Sequence, residues 1–338
     1  AQYLGASKKD RCALATSQAL IICLAAYPII LLARPLVFYG FEVSGISAGQ
    51  LASQKMYFGI LIYATIVGLL RTSLSSFFSG IGQTRMVMVA AIVAMVSNIG
   101  LNYILIFGKL GLPPLGLRGA AYGTILGGLL GLTVLVTAYL WPPNRREYQV
   151  LKSLHFDREA MGKLLWFGYP AGMEMFLNVL AFTGMIFAFH AHGPVTATAT
   201  TIMFNWDMVS FVPLIGVQIG VMSLVGRYMG AGDPATAHRA AMSGIKTGWV
   251  YSSVIFVLFT CFPETLVSVF QPVDADPIFE QAVPTAVFMI RLASLYVMIE
   301  AIVIVFSGTL RGAGDTFWAM CISVTLHWLL LPILIAML

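Results

Sequence analysis

Apolar positions in this chain do not alternate or recur on one helical face. They form nine long, nearly unbroken runs, at about 11–38, 54–78, 86–107, 117–141, 162–192, 203–226, 239–269, 283–309 and 317–338. A bilayer-spanning helix needs about 20 mostly apolar residues, and every run reaches that length. Strands of a membrane barrel would be about 10 residues of alternating polarity, which these runs are not. The pattern predicts an all-α polytopic membrane protein.

Two polar phrases between the runs occur twice. SGIGQT at 79–84 returns as RGAGDT at 311–316, an offset of 232, and YLGA at 3–6 returns as YMGA at 228–231, an offset of 225. A loop insertion accounts for the seven-residue difference. Two copies of one helical unit are therefore expected. Six runs, an even number, separate the two GA phrases, so both lie on one side of the membrane. The copies are parallel repeats about an axis along the membrane normal, an arrangement typical of transporters. Aligning the copies suggests a twelve-helix plan of which about nine helices are present, with two missing before the first copy and one after the second. An incomplete N-terminal lobe over 1–141, a linker over 142–161 and a C-terminal lobe over 162–338 follow. Pro142 and Pro143 end the preceding helix, and Asp157 can cap the next.

Composition agrees: the 338 residues are 59% hydrophobic and 10% charged, with a mean hydropathy of +0.88. The net charge of +5 is no nucleic-acid signature, because the basic residues sort by side. Near the ends of the runs, twelve Lys and Arg fall on one side and three (Lys55, Lys109, Arg118) on the other. By the positive-inside rule the 142–161 loop and the chain start are cytoplasmic and the 270–282 loop faces outward. Cys12, Cys23, Cys261 and Cys321 form no CxxC and read as small buried apolar residues. No cleavable signal sequence is visible.

Most motifs carry architecture. Gly123, Gly127 and Gly131 make a small-residue face for close helix packing. Gly230, Gly312 and Gly314 suit turns and helix ends, and Arg311 suits a helix C-terminus near anionic headgroups. No phosphate loop, GxSxG or HExxH occurs, so neither an ATPase nor an enzyme is indicated. His190 and His192 lie on different helix faces.

The acids inside the runs carry the chemistry. A carboxylate at the bilayer centre costs on the order of 3 kcal/mol and needs a partner or a function. Glu174, Asp207 and Glu300 qualify, Asp207 also suiting an interfacial place. Asn178 follows Glu174 by one turn, and Tyr296 precedes Glu300 by one turn, so each pair shares a face. The expected site, for a cation or proton, is Glu300, Tyr296, Glu174 and Asn178, with Asp207 secondary. The alternative is buried ion pairs, Glu300 with Arg291 or Glu174 with a distant arginine.

The phrases VGRYMGAGD (225–233), GTLRGAGDT (308–316), GLPPLGLRGAAYGT (111–124) and FFSGIGQTR (77–85) resemble the multidrug and toxic compound extrusion (MATE) transporters, over nearly the whole chain. The resemblance implies a monomeric two-lobed carrier in the inner (plasma) membrane. It would exchange Na+ or H+ for amphipathic, often cationic, small molecules without other cofactor or nucleic-acid partner. The family's Tyr-x-x-x-acid pair falls on Tyr296 and Glu300, where Na+ would bind. Its seventh-helix acid falls on Asn178, with Glu174 one turn earlier, and its first-helix acid falls outside this chain. A lipid-linked saccharide flippase of the same superfamily is the competing expectation, and an intramembrane enzyme the disfavoured one.

Overall fold

The structure, a computed structural model, describes the backbone of residues 1–43 and 47–337, and the side chains of all of these except 326, 327 and 329–337. Every regular element among them is a helix: α1 (Gln2–Gly5), α2 (Lys9–Leu32), α3 (Arg34–Val43), α4 (Ala48–Gly80), α5 (Thr84–Phe107), α6 (Leu117–Leu140), α7 (Pro142–Glu147), α8 (Arg158–Ala191), α9 (Pro194–Gly230), α10 (Pro234–Cys261), α11 (Pro263–Ser268), α12 (Pro277–Ala313) and α13 (Thr316–Met337). Among the described residues, α2, α4, α5, α6, α8, α9, α10 and α12 are long and apolar enough to cross a membrane. With α13 they account for the nine runs; residue 338 of the last run lies outside the described residues.

Two runs are broken. The first ends as α2 and resumes as α3, where Pro35 lacks the N–H that would bond the Leu31 carbonyl. The run 239–269 divides between α10 and α11, because Pro263 can start a helix but cannot continue one.

The chain forms two compact units, Ser7–Leu164 and Ala1–Ala6 with Leu165–Leu338. This division differs from the one read in the sequence at both ends of the first lobe. The first six residues group with the second half, and most of the 142–161 linker packs on the Ser7–Leu164 unit. In the Ser7–Leu164 unit, Tyr148 and Val150 are buried, and the Tyr148 ring packs edge-on against Phe77 with centroids 5.3 Å apart. Gln18, fully buried in α2, donates from Nε2 to the His155 carbonyl at 2.8 Å, and its Oε1 accepts from the Asp157 N–H at 3.2 Å. The Asp157 carboxylate accepts from Ala160 N–H at 2.8 Å, capping α8, and lies 3.8 Å from Arg11. The Ala160 bond and the Arg11 charge hold its carboxyl below the usual aspartate range.

The glycine face of α6 packs where expected. A Cβ on Gly127 would stand 2.8 Å from the Ala94 carbonyl oxygen, and one on Gly131 2.9 Å from that of Ala90. Descending α6 while ascending α5, these contacts mark an antiparallel pair in which backbones touch.

In the other unit α12 is the central helix. Ala282, Ala286, Ile290, Ala293, Val297, Ala301 and Val305 are buried on one stripe, recurring every three or four residues, and Gly308 and Gly312 continue it. The same helix exposes Phe288, Leu292, Leu295 and Ile299 on its opposite side, as a membrane helix facing hydrocarbon does. Its length of 37 residues, about 55 Å at 1.5 Å per residue, exceeds the hydrocarbon core and projects the ends into the interfaces.

Candidate functional site

The acids of the second unit fall into two polar groups, both lying along α12. In the first, Tyr296 and Glu300 stand one turn apart on α12, and Asp207 comes from α9. Tyr296 Oη donates to Asp207 Oδ1 at 2.6 Å, a short bond of the kind made to a charged acceptor. Glu300 lies within electrostatic reach of Asp207 and Tyr296. Its Oε2 is buried with no hydrogen-bond partner. No ion pair joins Glu300 to Arg291 among the described residues. The backbone of α9 is perturbed just beyond Asp207, because Pro213 cannot donate to the carbonyl of Val209. Two carboxylates and a phenol from two helices thus share one half-buried place, and among the described residues no cationic side chain is paired to them. Such a group can take up a proton or a small cation, with Glu300 Oε2 the open acceptor.

The second group differs in charge balance. Glu174 of α8 is 3% exposed, and its Oε1 meets Arg311 Nη2 of α12 at 2.9 Å. Asn178, one turn along α8, donates from Nδ2 to Ser323 Oγ of α13 at 2.9 Å. The remaining atoms are not all satisfied: Glu174 Oε2, Asn178 Oδ1, Ser307 Oγ and Arg311 Nε are buried without partners. Arg311 and Glu300 are eleven residues apart on one helix, about 16 Å along its axis. The four residues expected to make one site therefore divide into two groups. Glu174 makes a buried pair with a distant arginine, a contact also weighed from the sequence. Arg311 stands in the last turn of α12, as expected for a helix end, and neutralises a carboxylate there.

The glycines close turns. Gly314 caps α12 in the left-handed region at φ +98°, and the Asp315 carboxylate accepts from Trp318 N–H at 3.3 Å, starting α13. Gly232 at φ +75° and Asp233, which accepts from Thr236 N–H at 2.9 Å, do the same between α9 and α10. A Cβ on Gly312 would lie 2.7 Å from the Met222 carbonyl oxygen, so this glycine also lets α12 and α9 touch.

Sequence reasoning did not find the pairing of Asp207 with Tyr296, which are 89 residues apart. The only signal was an acid inside an apolar run. Ser307 and Ser323 carried none, since serines are frequent in such helices.

Long apolar helices, with acids set along the central helix of one unit, define a polytopic membrane helical bundle. The comparisons agree. The MatE family profile matches residues 1–104 and 170–336, and the chain belongs to that family. It is 28% identical over 285 residues to a probable multidrug resistance protein NorM of Thermotoga maritima, covering 82% of this chain and 58% of that one. It is 25% identical to the NorM protein of Rhizobium meliloti, covering 89% of this chain and 64% of that one. The chain thus spans about three fifths of the curated relatives it matches. Among solved structures it is similar to a MATE family multidrug resistance transporter of the MOP superfamily in an outward-facing conformation, with a TM-score of 0.85 at 18% identity, covering 96% of this chain and 70% of that one. A MOP superfamily transporter from Pyrococcus furiosus, described as having a binding pocket of reversed polarity, gives a TM-score of 0.87 at 18% identity over the same shares. At these identities the likeness to solved structures shows the fold.

Proposed function

We propose that the chain is the greater part of a secondary antiporter that exports amphipathic, often cationic, small molecules from the cytoplasm in exchange for H+ or Na+. The observation that carries this reading is the Asp207–Tyr296–Glu300 group. Two carboxylates half-buried within helices of a membrane bundle are tolerable only if neutralised or ion-bound. A proton and a cation would compete for the same oxygens, and occupancy would bias one conformation over another. Glu300 supplies the open oxygen, Asp207 the second charge, and Tyr296 orients Asp207. The Glu174–Arg311 pair is internally neutralised and acts as structure. The family membership and the NorM names of its relatives support the substrate class.

The test is ethidium efflux from proteoliposomes holding the full-length protein, driven by a proton gradient or a sodium gradient. Glu300→Gln and Asp207→Asn should each reduce ion-driven efflux at least about tenfold at unchanged protein level, in line with the cost of removing a group acting through its charge. The gradient to which the unsubstituted protein responds identifies the coupling ion. Full ion-driven efflux by Glu300→Gln would remove this group from coupling.

A further inference from the structure

The two GA phrases, alike in sequence, meet in space. Residues Ala1–Ala6 belong to the unit built by the second copy, where α1 packs on the end of α9. A Cβ on Gly5 would overlap the Arg227 carbonyl and stand 2.9 Å from Ala231 N. A Cβ on Gly230 would overlap the Gln2 carbonyl and stand 2.8 Å from Gln2 Cα. At the repeat offset of 225, Gln2 corresponds to Arg227 and Gly5 to Gly230. These are therefore one contact made twice, once in each direction, which is the signature of a two-fold, self-complementary crossing. Only residues without a Cβ allow backbones so close.

The second repeated phrase joins the same place. Gln2 Nε2 donates to the Gly312 carbonyl at 3.0 Å. A Cβ on Gly226 would lie 3.1 Å from Ala1 Cβ and 3.3 Å from the Gly312 carbonyl oxygen. Just beyond α1 the chain leaves for the other unit through Ser7, held at φ +59°. Its repeat counterpart is Gly232, at φ +75°. The turn is thus repeated too, but the first copy makes it with a residue that strains there, at the boundary between the units.

We propose that the Gly5–Gly230 crossing is a latch at the basic, cytoplasmic end of the bundle. Docked, α1 ties the first copy's GA phrase to the second copy and closes that end; released, it opens it. The proposal rests on the antiport reading above, which requires an end that opens and closes. The geometry favours a releasable contact over permanent core. The crossing is backbone on backbone, joined by a side-chain hydrogen bond from Gln2. The neighbouring turn carries strain in the docked state that release at Ser7 would relieve.

The test is a disulfide beside the crossing. Ala1→Cys with Gly226→Cys places the two Cβ atoms near 3.1 Å, slightly under the roughly 3.5–4.5 Å a disulfide prefers. In the complete protein in proteoliposomes, the rate of disulfide formation is followed by protection from a maleimide-polyethylene glycol reagent. A latch gives a rate that changes at least threefold when an ion gradient or ethidium is supplied. A rate indifferent to both marks static packing and overturns the proposal. Once oxidised, the protein should lose ethidium efflux at least tenfold and regain it with dithiothreitol; full efflux by the oxidised form also overturns it. Adding Gly5→Ala or Gly230→Ala should slow disulfide formation at least threefold. Gly220→Ala, on α9 with open space at its Cβ, should not. If Gly5→Ala does not accumulate, Gln2→Leu, which removes only the bond to Gly312, supplies the same readout. Gradient-sensitive cross-linking together with Glu300→Gln efflux at full rate would sink the coupling site and leave the latch standing.

Discussion

Arg311→Ala removes the cation from a carboxylate that has almost no contact with solvent. The Glu174 side chain is 5% exposed, one oxygen bonds Arg311 at 2.9 Å, and the other has no partner. Breaking a buried pair from one side costs about 3–5 kcal/mol, because the remaining charge is left uncompensated. At 1.4 kcal/mol per tenfold, the ratio of folded to unfolded protein falls by a factor of roughly one hundred to several thousand. By the size scaling of thermal unfolding this lowers the melting midpoint of a chain of this length by about 4–7 °C. Arginine's other plausible role, anchoring the helix end at headgroups, predicts a different pattern. An anchor's loss would be the same whatever stands at 174. The buried pair instead predicts strong non-additivity: Glu174→Gln with Arg311→Met, both neutral and of similar volume, should melt well above Arg311→Ala alone. Scanning fluorimetry of the purified proteins in one detergent, with Glu174→Gln and Arg311→Met also made singly, measures all four corners of the cycle. If Arg311→Ala melts with the unsubstituted protein, or if the double substitution is no better than the single, the pair does not hold α8 to α12.

Two further outcomes concern the Ser7–Leu164 unit. Gly131→Val should abolish accumulation of folded protein, since even a Cβ there stands 2.9 Å from the Ala90 carbonyl oxygen; Gly128→Ala, whose nearest neighbour is a Val67 methyl at 3.5 Å, should fold normally, both read by gel-filtration profile. Asp157→Asn should lower the melting midpoint at neutral pH. Because the carboxyl of Asp157 is held below its ordinary value, its stabilisation is complete above the unfolded pKa near 4. It is lost as pH falls through the lower folded value, so the two proteins should converge only below about pH 4. A difference that closes between pH 8 and 5 would point to another group.

The helices were legible because hydrocarbon demands continuous apolar length, and the sequence states length directly. The runs that failed to continue, at Pro35 and Pro263, did so where a missing N–H interrupts the ladder. The glycine face of α6 was legible for a related reason: a period of four small residues has few uses other than close packing. What the sequence withheld was partner choice across distance. Glu174 and Glu300 look alike in one dimension, each an acid with a polar residue one turn away. Only the fold shows that Arg311 reaches one and Asp207 the other. The fold also groups the Tyr3–Ala6 phrase with the second copy. Repetition revealed that the two GA phrases are equivalent, but nothing in repetition says that equivalents touch.

That difference in partner separates stability from coupling along a single helix. α12 carries Glu300 beside a second carboxylate and Arg311 beside Glu174, about 16 Å apart along its axis. A neutral pair contributes to folding whether or not ions are present. A pair of acids opposes folding unless a proton or cation joins it. Substitution should therefore move the two properties in opposite directions. Glu300→Gln relieves a buried like-charge contact, so it should melt at or above the unsubstituted protein while losing ion-driven efflux. Arg311→Ala should melt lower, and the molecules that remain folded should still respond to the ion gradient. Added coupling ion should raise the melting midpoint of the unsubstituted protein and leave that of Glu300→Gln unmoved, since only a state with affinity for the ion is stabilised by it. Equal ion-dependent stabilisation of both proteins would place the ion elsewhere and return α12 to a purely structural role.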